Sequence, residues 1–211
     1  MSLLTIRNDV TKEINMRIHE GQARSLNNEQ FQEVIDYTLA NSRYPLRDTA
    51  LLAVSYCCGL RVMEIAELDL DDILNSEGEL RQNVTLRKIA TKRAKGGVAY
   101  FSSPMLRELL SKYLVEVRSL KSTDTRAVFI SKHLKRFSKS SLSRHFGTLY
   151  KKAGYEGCMG YTGRRSLGRN LNRSGVSVFN IQKILRHTDI KTTQRYIDVD
   201  EDMLANLVSG V

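Results

Sequence analysis

From residue 25 onward the chain is patterned mostly for helices. In SLNNEQFQEVIDYTLANS, positions Phe31, Val34, Ile35, Thr38 and Leu39 fall three and four apart, which lines one face of a helix. Ser25 or Asn27 stands where its N-cap belongs. A second helix begins at Pro45; RDTALLAVSYCCG is apolar almost all round, the mark of a buried helix, and stops at Gly59. LRVMEIAELDLDDI predicts a short helix followed by an acidic turn. The period then changes: Val84, Leu86 and Ile89, then Val98, Tyr100 and Phe101, flank the Gly96-Gly97 pair as the arms of a small antiparallel hairpin. Helix returns in PMLRELLSKYLVEVRSL with Pro104 in its first turn, and AVFIS predicts one short strand. From SKSSLSRHFGTLYKKAG onward the pattern is helical, broken at Gly154, Gly160 and Gly175. The fold class is therefore mainly α with a small antiparallel β-sheet (α+β). Residues 1–24 carry little periodicity and read as an N-terminal arm, 25–200 as one domain, and 201–211 as a tail helix with Met203, Leu204, Leu207 and Val208 on one face.

Charge narrows the partners. The 211 residues carry 33 Lys and Arg against 23 Asp and Glu, a net charge of +10. Such a surface attracts polyanions, nucleic acid first and an acidic membrane surface second. No apolar run reaches the roughly 18 residues that a membrane span needs, and MSLLTIRNDVTKEINMRIHEG lacks the basic and apolar regions of a secretory signal. Cys57, Cys58 and Cys158 cannot all pair with one another, and they read as buried free thiols in a reducing cytoplasm.

Several chemistries find no motif. Asp69, Asp71, Asp72, Glu77 and Glu79 cluster, but Leu74 stands where a calcium loop needs glycine, so the run reads as a solvated loop and helix cap. His19, His133, His145 and His187 are scattered without metal-ligand spacing, and no phosphate loop for ATP is present. The expectation is no metal and no cofactor.

Arginines offer more. Arg61 precedes Glu64 by three residues, side by side on a helical turn, which a plain surface ion pair would also explain. GYTGRRSLGRNLNRSG repeats Arg164, Arg165, Arg169 and Arg173 at helical spacing; a guanidinium grips two phosphate oxygens in a fork, although a basic face also suits simple backbone binding. Lys92, Arg93 and Lys95 put cations at the hairpin tip, as a charged, solvated turn would. Tyr196, in KTTQRYI, sits among polar residues, poor company for a packed ring.

Taken in order, Arg61 in GLRVMEIAELDLDD, Lys95 in AKGGVAYF, Arg164 in YTGRRSLG, His187 in ILRH and Tyr196 in TTQRYI resemble the catalytic boxes of the tyrosine recombinases, the phage integrase family. The resemblance covers about residues 25 to 200. Its most specific part is ILRHTDIKTTQRYIDV, close to the family's leucine-glycine-histidine, threonine-threonine and tyrosine pattern.

The resemblance implies a site-specific recombinase that cleaves and rejoins DNA without metal or ATP. Tyr196 would attack a phosphodiester to form a 3′-phosphotyrosyl link, Arg61 and Arg164 would hold the non-bridging oxygens with help from His187, and Lys95 would protonate the departing 5′-oxygen. The position that usually holds a histidine, three before the second arginine, is Tyr161 here. A phenol is a poor base but a usable donor, which leaves water, a phosphate oxygen or Tyr161 itself to take the proton. Double-stranded DNA would be the partner, contacted by Lys92, Arg93, Lys139, Ser140, Arg144 and Arg165. The family works as a tetramer on two sites, with a free monomer and accessory DNA-bending proteins both compatible, in a cytoplasmic, nucleoid-associated setting. The arm is too short for the separate amino-terminal domain that many relatives carry. That implies either a short form like the bacterial DNA-inversion recombinases or an excised catalytic domain. The tail helix would dock on its own core or on a neighbouring protomer. Two other readings stand beside this one: a non-catalytic DNA-binding regulator with the same fold, and relaxation of the type IB topoisomerase kind.

Overall fold

The computed structural model describes residues 24–87, 97–119 and 126–196. The arm, the hairpin tip with Ile89, Lys92, Arg93 and Lys95, and the tail helix lie outside the described residues.

Helix α1 (Asn28–Asn41) opens on a capping box, in which the Asn27 side chain accepts from the Gln30 amide and the Gln30 side chain accepts from the Asn27 amide. It turns Phe31, Val34, Ile35 and Thr38 inward and leaves Leu39 partly exposed. Phe31 stacks on Tyr56 with ring centroids 3.7 Å apart. Tyr56 belongs to α2 (Pro45–Cys58), the central helix, whose apolar run is buried as its composition predicts.

At its amino end α2 also buries a polar knot. Arg47 Nε donates to Asp48 Oδ1 over 2.8 Å, His145 Nε2 lies 2.7 Å from the same oxygen, and the Ser42 hydroxyl donates to Oδ2 over 2.5 Å. Burial pushes the Asp48 carboxyl up, but the hydrogen bond and charge of His145, the charge of Arg47 and the Ser42 hydroxyl outweigh it and hold the group below its ordinary value. Replacing Asp48 with Asn should therefore cost about 3 kcal/mol, because Arg47 stays buried without its counter-charge. Arg126→Ala, which breaks an ion pair exposed on both sides, should change stability by less than about 0.5 kcal/mol. Urea unfolding of the two variants checks the contrast.

Helix α2 ends at Gly59, whose φ of +58° favours glycine. A Cβ there would also stand 2.7 Å from Leu185 and 2.9 Å from Leu167. Helix α3 (Val62–Ala66) follows as expected. The acidic stretch after it is not only a turn: residues Leu70–Ile73 form a further helical turn, α4, because Asp72 Oδ2 accepts from the Asp69 amide and acidic side chains suit a helix amino end. Its acids are also paired, Asp69 with Arg87 and Arg136, Asp71 with Arg126 and Asp72 with Arg87.

Strands β1 (Asn83–Leu86) and β2 (Gly97–Tyr100) pair antiparallel, with Asn83 opposite Tyr100 and Leu86 opposite Gly97. Val84, Leu86 and Ala99 face the core, while Val98 and Tyr100 face out. After α5 (Pro104–Ser119), the predicted strand in AVFIS is absent. Ala127 to Ile130 make only two isolated bridges, Asp69 with Ala127 and Ile130 with Arg136. All four residues are buried and Phe129 stacks on Tyr113, but backbone pairing beside Leu68 and Leu70 stops at a single bridge and no ladder forms. Helices α6 (Lys139–Lys152), α7 (Thr162–Arg173), α8 (Val178–Leu185) and α9 (Ile190–Gln194) complete the described fold, with breaks where Gly154, Gly160 and Gly175 predict them. Helix α7 lies so close to α2 that a Cβ on Gly163 would come within 2.9 Å of Tyr56 N. Cys58 and Cys158 are buried and Cys57 half-buried, all as free thiols. Among the described residues no helix is long and apolar enough to cross a membrane.

Candidate active site

Three guanidiniums converge where α2 ends, and each has a backbone reason to be there. Arg61 caps α3, and Glu64, three residues on, reaches back so that its Oε2 accepts from the Arg61 amide over 2.7 Å. Glu64 Oε1 then accepts from Arg61 Nη1 over 2.6 Å. Arg164, in the first turn of α7, is 1% exposed. It donates from Nη1 to the Gly59 carbonyl and from Nη2 to the Leu185 carbonyl. Burial, then the charges of Arg61 and Arg186, pull its pKa down to about 10, which still leaves it charged at neutral pH.

Helix α8 supplies the sockets for these cations. It closes in a Schellman turn, with His187 N donating to Gln182 O and Arg186 N to Lys183 O, while Arg186 adopts the left-handed conformation at φ +54°. A helix carboxyl end leaves carbonyls without intrahelical partners and carries partial negative charge. Leu185 O takes Arg164, Arg186 O takes Arg61 Nη2 at 3.0 Å, and Ile184 O takes the Arg186 side chain at 2.9 Å. Arg186 Nη2 also donates to Glu64 Oε2 at 3.1 Å and to Gly59 O at 3.2 Å. Burial pushes Glu64 up, but Arg186, the Arg61 amide and the other two guanidiniums outweigh it and keep the carboxyl ionised. Three guanidiniums thus face a single carboxylate, an arrangement that attracts an anion.

The same turn carries His187 into the cluster. Its Nδ1 lies 2.8 Å from the buried hydroxyl of Thr193 on α9. Tyr196 follows α9 after one residue, the C-cap Arg195. Its ring meets the His187 ring edge to face, with centroids 5.2 Å apart, and lies over Gly168, where a Cβ would be only 3.2 Å from Tyr196 Cδ2. Tyr196 is half-buried, and its hydroxyl has no hydrogen-bond partner among the described residues. Burial, with the charges of Arg164, Arg61 and Arg186, pushes the His187 pKa down to about 3, so the ring is neutral. Below about pH 6.5, the value of a free imidazole, the unfolded chain binds a proton at this residue that the folded chain refuses until near pH 3. Stability should therefore fall with pH in that window, by at most about 1.4 kcal/mol per unit. Unfolding at pH 7 and pH 5 should show a smaller loss in His187→Gln than in the parent; equal losses would mean that the ring is not held neutral.

Arg61, Arg164, His187 and Tyr196 are thus brought together. Tyr161 is 45% exposed at the amino end of α7, and among the described residues no hydrogen bond or ring contact links it to the cluster. Arg165 is buried at 6%, which does not suit an open DNA-contacting face. The basic face expected along α7 does not form: Arg164 points inward, Arg169 donates to Ser25 Oγ at 2.8 Å, and Arg173 alone of the four is exposed. The packing of α7 under α2 and the segment before α1 accounts for this. Lys139, Ser140 and Arg144 are all exposed on α6, the last two one turn apart on the same face. Two contributors carried no role in the sequence reading. Thr193 is one of two adjacent threonines that only the fold distinguishes, and Arg186 reaches the cluster through a backbone conformation that its residue type does not advertise.

The sequence model of the phage integrase family matches residues 24–203. The chain belongs to that family. Relatives within the phage integrase family include tyrosine recombinase XerC of Alcanivorax borkumensis, 30% identical over 189 residues, which are 89% of this chain and 59% of the relative. Tyrosine recombinase XerD of Staphylococcus epidermidis is 29% identical over 164 residues, 76% of this chain and 53% of the relative. The chain spans a little over half the length of these relatives. The phage integrase fold is also that of two solved recombinases. XerA overlays with a TM-score of 0.72 at 23% identity, covering 89% of this chain and 64% of that one. XerH bound to palindromic difH substrate, in a post-cleavage complex, overlays with a TM-score of 0.70 at 19% identity, covering 88% of this chain and 52% of that one.

Proposed function

We propose that this chain is the strand-cleaving domain of a site-specific DNA recombinase. The observation that carries the reading is the placement of the Tyr196 ring against His187 in a cluster with Arg61 and Arg164. In the proposed step the Tyr196 oxygen attacks a backbone phosphorus. A phosphorus–tyrosine bond forms, the bond to the 5′-oxygen breaks, and the 3′ end stays on the enzyme. Arg61, the more open of the pair, and Arg164 offset the charge that builds on the non-bridging oxygens. Neutral His187 donates one further hydrogen bond from Nε2 when the Thr193 hydroxyl donates to Nδ1. Lys95 protonates the departing 5′-oxygen. With Tyr161 exposed and outside the cluster, the Tyr196 proton goes to water or to a phosphate oxygen. The phosphotyrosyl bond stores the phosphodiester energy, so religation needs no ATP.

The partner is double-stranded DNA. Lys139, Ser140 and Arg144 on α6, with Lys92 and Arg93 from the sequence between β1 and β2, contact it. The working assembly is a tetramer on two sites, with accessory bending proteins, in the cytoplasmic nucleoid. Structural neighbours bound to DNA, XerH on difH and a lambda integrase dimer on a core site, support DNA as the partner.

The test uses nicked suicide duplexes drawn from DNA flanking the gene, with EDTA present. A denaturation-resistant protein–DNA adduct is the expected result, and adding a partner duplex should give exchanged strands. Religation confined to one duplex would assign relaxation, and binding without any adduct would assign a regulator.

A further inference from the structure

Arg186 occupies a position that its residue type does not favour. The Schellman turn at the end of α8 needs a left-handed residue, which glycine supplies freely and a side chain supplies at a cost. Glycine is also what the family's pattern holds between the leucine and the histidine. Here an arginine tolerates φ +54°, and its side chain is 8% exposed.

The contacts suggest what offsets that strain. The forked Nη2 joins Glu64 Oε2 and Gly59 O, two acceptors that also hold other members of the cluster: Glu64 grips Arg61, and Gly59 O grips Arg164. The aliphatic stem lies on the start of β2, where a Cβ on Gly97 would come within 2.8 Å of Arg186 Cδ. One side chain therefore touches the end of α2, the acid that orients Arg61, and the strand that begins two residues after Lys95 in the sequence.

We propose that Arg186 is a positioning residue of the cleavage centre, which clamps Glu64 and the Gly59 carbonyl so that Arg61 and Arg164 meet the phosphate in one fixed geometry. The inference rests on the strand-cleavage reading for its effect on rate. Its effect on the two arginines stands independently of that reading.

Two variants separate the positioning role from a structural one. R186G removes the clamp but gives the backbone the residue it favours. Its melting temperature should stay within about 4 °C of the parent, the shift that 1 kcal/mol produces in a chain of this size. DNA affinity should stay within about twofold, while adduct formation on the suicide duplex should slow about 100-fold, the cost of an ångström of misplacement. R186K keeps the charge without the fork and should recover about a tenth of the parent rate. In parallel, ¹⁵N NMR of the guanidinium N–H groups should show Arg61 and Arg164 exchanging faster in R186G than in the parent. Parent-like cleavage and exchange in R186G would overturn the proposal, and so would a collapse of its melting temperature, which would make Arg186 a support of the fold. If the parent itself forms no adduct but R186G still frees Arg61 and Arg164, the cleavage reading fails and the clamp survives.

Discussion

Tyr196→Phe should bind DNA as the parent does and form no covalent adduct, a fall of at least about 10⁴-fold in cleavage rate. The substitution is clean because the ring's contacts among the described residues survive it: phenylalanine still meets His187 edge to face and still lies over Gly168. Only the hydroxyl is lost, and among the described residues it bonds to nothing. Melting temperature should therefore be unchanged, and a denaturing gel of radiolabelled suicide duplex should show free DNA alone. An adduct that persists in Tyr196→Phe would move the nucleophile to another side chain.

Arg164→Lys should slow cleavage about 10³-fold, at the upper end of the cost of losing a preorganised charge donor. Lysine keeps a positive charge but has no planar fork, so it cannot satisfy the Gly59 and Leu185 carbonyls while also offering a donor to phosphate. The same burial and neighbouring guanidiniums that pull Arg164 down to about 10 act on a lysine that starts lower, so it gives up its proton nearer neutral pH. The residual rate of Arg164→Lys should then rise as the pH is lowered from 9 to 7, whereas the parent shows no such rise. Single-turnover cleavage across that range distinguishes this outcome from simple unfolding, which would lower the rate at every pH.

Helices were legible wherever one face met the core. The periodicity around Phe31, Val34 and Ile35, the apolar run of α2 and the glycine breaks late in the chain all reflect burial, which a one-dimensional pattern records well. AVFIS was misread because β-branched and aromatic residues mark burial as much as strand, and here the burial had no ladder partner. The arginine repeat of α7 was misread for a related reason. Spacing puts Arg165, Arg169 and Arg173 on a common face, but it does not say which part of that face another segment covers, and burial removes Arg165 from the surface. Arg61, Arg164, His187 and Tyr196 were found by the order of their boxes, since Arg61 lies more than a hundred positions before the other three and leaves no local sign of meeting them. Arg186 lacked even that help. Its role depends on a left-handed backbone and on a carbonyl at Gly59, neither of which is written in residue type.

The carboxyl end of α8 has a consequence for the timing of synthesis. Arg61 finds its carbonyl acceptor 125 residues further along the chain, and Arg164 needs both Gly59 behind it and Leu185 ahead. A nascent chain still short of α8 carries most of its basic charge and both arginines of the pair but lacks the carbonyls of Leu185 and Arg186 that hold them together. On the proposed function, the basic surface that would meet DNA therefore emerges from the ribosome well before the cutting centre, which is assembled only once α8 has been made.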